Sequence, residues 1–166
     1  NKKEGKGKLV YPNGNGSYIG EFQNNMFNGA GIETIQEENY KKVSEGVFVN
    51  SILFNGEKIL YLSSGKKQIY EIKEAKPVSI SQYNNGILEF SEKGEFFPNN
   101  SLNTGTQKQF IDNYIITTIF KNGAEVSRTT NIDNYYVPSD IIGDSESISL
   151  ELIFEKNDQT KYINIY

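Results

Sequence analysis

Apolar and polar residues alternate along most of the chain, and this period of two predicts strands rather than helices. In the first clear example, Tyr18, Gly20 and Phe22 occupy alternate positions, so all three point to the same face of one strand. Either Asn24-Asn25 or Asn28-Gly29 can supply the positive φ that a tight hairpin turn requires. No window of a dozen residues keeps apolar positions at helical spacing free of Gly or Asn, so we expect almost no helix.

The same arrangement recurs one unit later in the chain. The Gly-x-Phe core at Gly20 reappears at Gly46, 26 residues later, and Phe27-Asn28-Gly29 reappears as Phe54-Asn55-Gly56, 27 residues later. Turns and aromatics at such fixed offsets are typical of a stacked repeat. Each unit is then one β-hairpin that cannot bury its aromatic face alone, so the hairpins are expected to stack into a twisted sheet.

The unit resembles the MORN repeat, which reads roughly Tyr-x-Gly-x-aromatic, a Gly or Asn turn, and Gly-x-Gly, then aromatic-x-x-Gly. Tyr18-Ile19-Gly20-Glu21-Phe22 and Gly29-Ala30-Gly31 match this pattern. Gly5-Lys6-Gly7 followed by Tyr11-Pro12-Asn13-Gly14 matches the second half of a preceding unit. The resemblance implies a sheet of stacked hairpins that binds proteins or membrane surfaces.

Later units depart from this pattern. Ser44 stands where the unit has its Tyr, Lys58 replaces the second Gly of the Gly-x-Gly pair, and Tyr70 occupies a Gly position. The sequence YNNGILEFSEKGEFF, residues 83–97, is similar to a looser bacterial variant of the repeat. We therefore predict a repeat array over residues 1–76, which extends to residue 97 if this variant is included.

The sequence pattern of the C-terminal part predicts conventional strands. YIITTIFKNGAEVSRTT, residues 114–130, is predicted to be a hairpin that turns at Asn122-Gly123, and residues 147–166 form a second predicted hairpin. Additional strands are expected at Phe96-Phe97 and Gln109–Asp112. On architecture alone, this set suits a small Ig-like β-sandwich over residues 77–166. The predicted fold is thus all-β, with a MORN-type hairpin array followed by an Ig-like domain.

The composition excludes most classes of enzyme. The chain of 166 residues has 11 Tyr and 10 Phe but neither His nor Cys, so the commonest general bases, nucleophiles and transition-metal ligands are missing. Two carboxylate pairs, Glu92 with Glu95 and Asp140 with Asp144, are nominal candidates for glycoside hydrolysis. Asp140, Asp144 and Glu146 are nominal calcium ligands. Solvated surface charge and turn capping are the favoured interpretations, so we expect no enzyme, no metal and no cofactor.

Charge is distributed unevenly between the two parts. Residues 1–76 carry a net charge of +2 and residues 77–166 a net charge of −6, which gives the −4 of the whole chain. The densest basic run, at residues 2–8, is interpreted as a solvated terminus, because nucleic-acid recognition needs a wider basic face. No nucleic-acid partner is therefore predicted.

The predicted function is a non-catalytic binding or scaffold module for protein partners, with membrane-surface binding through the repeats as the alternative. Neutralisation of a basic toxin, as by an immunity protein, is a third reading, and a second copy of the chain is a candidate cap for the array. The chain begins without Met, as a processed protein would, and a cell-surface or envelope location is favoured. The candidate binding residues are the rings Tyr11, Tyr18, Phe22, Phe27 and Phe48. Inter-hairpin packing is the competing explanation for each ring, and Phe27 is singled out because it lies next to a turn.

Overall fold

The chain folds into two compact units, residues 1–133 and residues 134–166. The first contains an 11-stranded antiparallel sheet and the second a two-stranded hairpin. The computed structural model describes residues 2–111, 114–132, 150–156 and 159–165. The all-β class predicted from the period-two pattern is confirmed, and the antiparallel hairpin sheet fits MORN-like repeats.

The strands of the first unit lie in the sheet in the same order as in the chain, so the sheet is a continuous meander. They are β1 (Gly5–Val10), β2 (Gly16–Gln23), β3 (Met26–Gln36), β4 (Tyr40–Val49), β5 (Ile52–Leu62), β6 (Lys66–Lys73), β7 (Lys76–Asn84), β8 (Ile87–Phe96), β9 (Leu102–Ile111), β10 (Tyr114–Lys121) and β11 (Ala124–Ile132). A short 3-10 helix, Pro12–Gly14, joins β1 to β2. In the second unit, β12 (Leu150–Lys156) pairs with β13 (Gln159–Ile165).

Two-residue turns join the strands of most repeats. Asn24-Asn25, Asn50-Ser51, Glu74-Ala75 and Asn122-Gly123 all have positive φ at both residues. This conformation is that of a type I′ turn, whose twist matches that of the flanking strands. The turns expected at Asn24-Asn25 and at Asn122-Gly123 are confirmed.

One row of directly paired residues crosses all eleven strands and defines a face of the sheet. The row consists of Leu9, Tyr18, Glu33, Ser44, Lys58, Tyr70, Ile80, Glu92, Gln107, Thr118 and Arg128. Paired residues share a face because side chains alternate along each strand. We call this face the ring face and the opposite one the open face.

The core lies on the ring face in two clusters. Tyr18, Phe22, Phe27 and Phe48 form the first cluster, and Tyr70, Ile72 and Ile80 form the second. Leu53 packs against both. Within the described strands, the sheet thus buries apolar surface by laying large side chains from neighbouring hairpins over one another.

The described part of residues 77–166 does not show the expected Ig-like sandwich. Residues 77–132 continue the sheet as β7 to β11, and Phe96 and Gln109 lie within β8 and β9. The register explains why the sequence pattern was misleading, because Glu92 and Thr118 are buried at the row position that Tyr18 occupies in the first repeat. The hairpin expected over residues 147–166 is confirmed for β12 and β13, whereas Asp140, Asp144 and Glu146 lie outside the described residues.

Candidate functional site

Four of the five predicted binding rings form the first core cluster. The Tyr18 ring stacks on Phe27 with the ring centroids 3.7 Å apart, while the rings of Phe22 and Phe48 are nearly perpendicular to Tyr18 with centroids 5.2 Å away. Tyr18 is fully buried and the other three are at most 8% exposed. The Tyr18 hydroxyl donates to the backbone carbonyl of Glu21 at 3.1 Å. Inter-hairpin packing therefore accounts for these rings.

Tyr11, the fifth ring, lies half-buried at the edge of this cluster. Its hydroxyl donates to Oε1 of Glu33 at 2.6 Å, and Lys42 Nζ lies 2.9 Å from Oε2 of the same carboxylate. Burial, and then the adjacent Glu33 carboxylate, raises the pKa of Tyr11 well above its usual range. Tyr11 is thus held as a neutral hydrogen-bond donor.

Phe27 illustrates what the sequence pattern left ambiguous. The turn ends at Asn25, and Phe27 is already the second residue of β3, directly paired with Phe22. In a hairpin with a two-residue turn, the residue two positions after the turn pairs with the residue two positions before the turn. This spacing was the sequence signal that Phe27 packs within the hairpin. Contact of the five rings with a partner stays a prediction, since burial demonstrates packing only.

A row of paired glycines crosses the first five strands beside the ring cluster. Each glycine of the row pairs directly with the next one on the neighbouring strand, and the row consists of Gly7, Gly20, Gly31, Gly46 and Gly56. On the ring face, a Cβ at Gly31 would overlap the Tyr18 ring, so glycine is needed there for close approach. The first four glycines of this row also form the floor of a groove on the open face.

This groove, which we call the glycine groove, has a volume of about 790 Å³. Ile19, Ile32 and Val47 line it with exposed fractions of 53%, 41% and 44%. Their side chains point away from Tyr18, Gly31 and Phe48 because neighbours along a strand alternate. Three adjacent strands therefore present aliphatic side chains to solvent beside largely half-buried glycine backbone.

Carboxylates continue the wall of the glycine groove along the open face. Starting from Ile32, the directly paired residues are Glu45, Glu57 and Glu71. Like charges directly opposite each other on neighbouring strands destabilise a sheet. Lys73 pairs with Glu71 at 3.1 Å and lowers the pKa of that carboxyl, whereas no ion pair involves Glu45 or Glu57 among the described residues. We call Glu45, Glu57 and Glu71 the acidic row.

The other end of the glycine groove is more balanced in charge. Lys8 is directly opposite Ile19, and Lys6 is directly opposite Glu21. The groove therefore runs from a mixed end at β1 to Glu45 on β4, and the acidic row continues from there onto β5 and β6. Sequence reasoning missed this surface because its residues occupy the variable positions between the Tyr, Gly and Phe marks of the repeat.

Catalytic and metal sites find little support in the described residues. Glu92 pairs with Gln107 on the ring face and Glu95 lies three residues further along β8 on the open face, so the two cannot act on one bond. Burial raises the pKa of Glu92, whose Oε1 accepts a hydrogen bond from Gln107 at 2.9 Å. No group of three or more acidic side chains in the described ranges could hold a metal ion. The part of the chain that the structure describes has no helix with the length and hydrophobicity needed to cross a bilayer.

Comparison with known families supports the repeat assignment at the start of the chain. Residues 1–16 and 18–36, which include β1 to β3, match the model of the MORN repeat. A search of curated proteins gives no match. MORN repeats are non-catalytic modules that generally bind proteins or membranes. The glycine groove begins on the strands that carry this match.

Proposed function

We propose that the chain is a non-catalytic module that binds a partner protein through the glycine groove. The occupant is an extended segment that places small aliphatic side chains against Ile19, Ile32 and Val47 and a basic side chain near Glu45 and Glu57. The acidic row beside an exposed aliphatic groove is the observation that carries this proposal. Its carboxylates oppose one another across strands at a cost to the isolated sheet, and a basic partner would relieve that repulsion.

The same observation argues against an anionic membrane as the ligand of the glycine groove. Binding to acidic lipid headgroups gains roughly 1 kcal/mol for each Lys or Arg near the surface. Here the groove is bordered by two lysines at one end and by the acidic row at the other. We therefore favour a protein over a lipid partner. The cell-surface location and the toxin-neutralising role stay predictions.

The proposal is tested with the whole chain immobilised for protein capture, in its natural form and as two matched variants. Ile32→Asp places a charge in the glycine groove. Ile119→Asp places the same charge at the far end of the same open-face row, on β10, where Ile119 is similarly exposed at 45%. We expect one protein to be captured by the natural chain and by Ile119→Asp, and its recovery to fall at least tenfold with Ile32→Asp.

Charge and membrane binding are tested on the same preparations. Glu57→Lys should weaken capture of that protein while leaving Tm unchanged or raised, and Glu38→Lys, in an exposed turn, should leave capture unchanged. Flotation is measured with vesicles of phosphatidylcholine alone and with added phosphatidylserine, at low and physiological salt. Two results together would overturn the proposal in favour of membrane binding. The chain would float with phosphatidylserine vesicles in a salt-sensitive way, and no captured protein would depend on Ile32.

A further inference from the structure

The second repeat lacks the ring that fills the core of the first. In the first repeat the Tyr18 ring is stacked on Phe27 and enclosed by the edges of Phe22 and Phe48. The position equivalent to Tyr18, 26 residues later and on the same row of paired residues, is Ser44. Ser44 is only 4% exposed, so neighbouring groups cover most of a small residue at the position where the first repeat carries a phenol ring.

The surroundings of the missing ring are otherwise retained. Phe48 is the counterpart of Phe22. The sequence pattern aligns Phe27 with Phe54, but the strand register corrects this to Leu53, because Phe48 pairs with Leu53 as Phe22 pairs with Phe27. A cavity of about 320 Å³ lies on this side of the sheet, lined by Ser44, Phe48, Leu53, Lys58, Ile72 and Ala75 among others. Apolar cavities of roughly half that volume are large enough to hold benzene.

One side of this cavity is polar. Lys58 Nζ lies 4.0 Å from the centre of the Tyr70 ring, and no ion pair involves Lys58 among the described residues. Lys42, its neighbour in the cavity lining, is already paired with Glu33. Burial and the proximity of Lys42 lower the pKa of Lys58. The cavity thus combines apolar walls with the Lys42–Glu33 ion pair, two serine residues and Lys58. Lys58 Nζ and the Ser44 hydroxyl are groups that can donate to an oxygen.

We propose that this cavity receives a tyrosine side chain of the partner protein. The ring would take the place that Tyr18 fills in the first repeat, between Phe48 and Leu53, and its hydroxyl oxygen would accept from Lys58 or Ser44. The inference rests on the proposed function, because a protein partner supplies the ring. It adds a second contact on the face opposite the glycine groove.

The test uses p-cresol, which is the side chain of tyrosine, and amide chemical shifts of the full chain. A saturable response with a Kd on the order of 1 mM is expected, with shifts centred on the amides of Ser44, Leu53 and Ile72. Ser44→Tyr fills the cavity from within, and should reduce p-cresol affinity at least tenfold while raising Tm. Ser63→Tyr adds the same ring at an exposed turn and should leave affinity unchanged.

The outcomes separate this inference from the proposed function. No saturable shift, shifts centred on Ile32 and Val47 instead, or unchanged affinity in a folded Ser44→Tyr variant would each overturn it. The map of shifts in the natural chain decides the matter even if Ser44→Tyr does not fold. Failure of p-cresol binding with Ile32-dependent capture intact overturns the cavity alone, whereas loss of Ile32-dependent capture with p-cresol binding intact overturns the proposed function alone.

Discussion

At the scale of the residue, one buried position of the repeat tolerates very different chemistry. It is occupied by Tyr18, Ser44, Tyr70, Glu92 and Thr118, each on the ring face and none more than 9% exposed. Backbone pairing fixes the position, and the neighbouring side chains then decide how its volume is filled. A Tyr at this place stacks, a Glu hydrogen-bonds to Gln107, and a Ser leaves a cavity.

Replacement of Phe27 by Ser tests whether this ring is structural. Because Phe27 is 8% exposed and stacked on Tyr18, its loss leaves a void and an unpaired hydroxyl in the first cluster. We expect destabilisation of about 3 to 5 kcal/mol, which corresponds to roughly 10 °C in Tm for a chain of this size. Ile19→Ser, at a site that is 53% exposed, should change Tm little. A Tm unaffected by Phe27→Ser would instead support a role of this ring in binding.

Replacement of Gly31 by Ala tests the close approach of a ring to the backbone. The new Cβ would overlap the hydroxyl and ring carbons of Tyr18, which is fully buried and cannot move aside without disturbing Phe27. We expect a loss of about 1 to 3 kcal/mol, as for other overpacked cores, measured by urea denaturation. Gly7→Ala in the same glycine row is the control, because its Cβ would lie 3.4 Å from Phe22, an ordinary contact. Equal effects of the two variants would contradict this account.

Replacement of Glu92 by Gln tests the cost of a buried carboxylate. Burial raises the pKa of Glu92, so the folded state binds the proton more tightly than the unfolded state. Its contribution to stability is therefore most favourable below the unfolded pKa of about 4.3 and is lost as pH rises through the folded pKa. Glu92→Gln should have a higher Tm than the natural chain at pH 7, and the difference should shrink towards pH 3.

Other carboxyl groups change stability in the opposite direction and must not be confused with Glu92. Hydrogen bonds and ion pairs lower the pKa values of Glu71 and Glu89, so their contributions are lost as pH falls. Glu71 and Glu89 are present in both the natural chain and Glu92→Gln. Their contributions therefore cancel in the difference in Tm between the two proteins. A difference that grows on acidification would show that burial is not the dominant effect at Glu92.

At the scale of the element, four turns are hydrogen-bonded to the backbone that precedes their hairpin. The amide of Ser51 donates to the carbonyl of Phe27 at 2.9 Å, and the amide of Ala75 donates to that of Phe54 at 2.8 Å. The turns at Asn25 and Gly123 make equivalent bonds to Lys3 and Asn103, at 3.2 and 2.7 Å. Stacking of the repeat thus depends on turn backbone as well as on rings.

The turn Glu74-Ala75 offers a direct test of this arrangement. Both residues have positive φ, which costs a residue with a Cβ roughly 1 to 2 kcal/mol and is relieved by Asn and Gly. The double change Glu74→Asn with Ala75→Gly should therefore raise Tm by a few degrees while keeping the bond to Phe54. Ala30→Gly, inside β3, should lower Tm, since glycine in a strand adds only flexibility. A decrease in Tm for the turn variant would show that strain is not the controlling factor.

The sequence allowed the strand period, the first two repeats and the Asn-rich turns to be predicted, because those features depend on local chemistry. The continuation of the sheet was not predicted, since Glu92 and Thr118 carry none of the aromatic marks that identify Tyr18. The glycine groove was also missed. Residues such as Ile19 and Ile32 are variable positions within one unit, and only the register between strands places them side by side.

At the scale of the whole first unit, the sheet is connected almost entirely through neighbours. Substantial contacts among its described strands run between adjacent pairs only. Stability in such arrays is approximately a sum of repeat terms and nearest-neighbour terms, and distant repeats are weakly coupled. This architecture also allows the first repeats to combine a ring cluster on one face with the glycine groove on the other.

Hydrogen exchange of the Phe27→Ser variant tests this connectivity. The substitution removes packing between β2, β3 and β4, so amides of those strands should exchange faster, whereas protection in β8 to β10 should change much less. The natural chain provides the reference for each amide. A uniform loss of protection across β2 to β10 would mean that the eleven strands unfold as one cooperative unit. In that case the second cluster, around Tyr70 and Ile80, would have to transmit the effect of the first through Leu53, which packs against both.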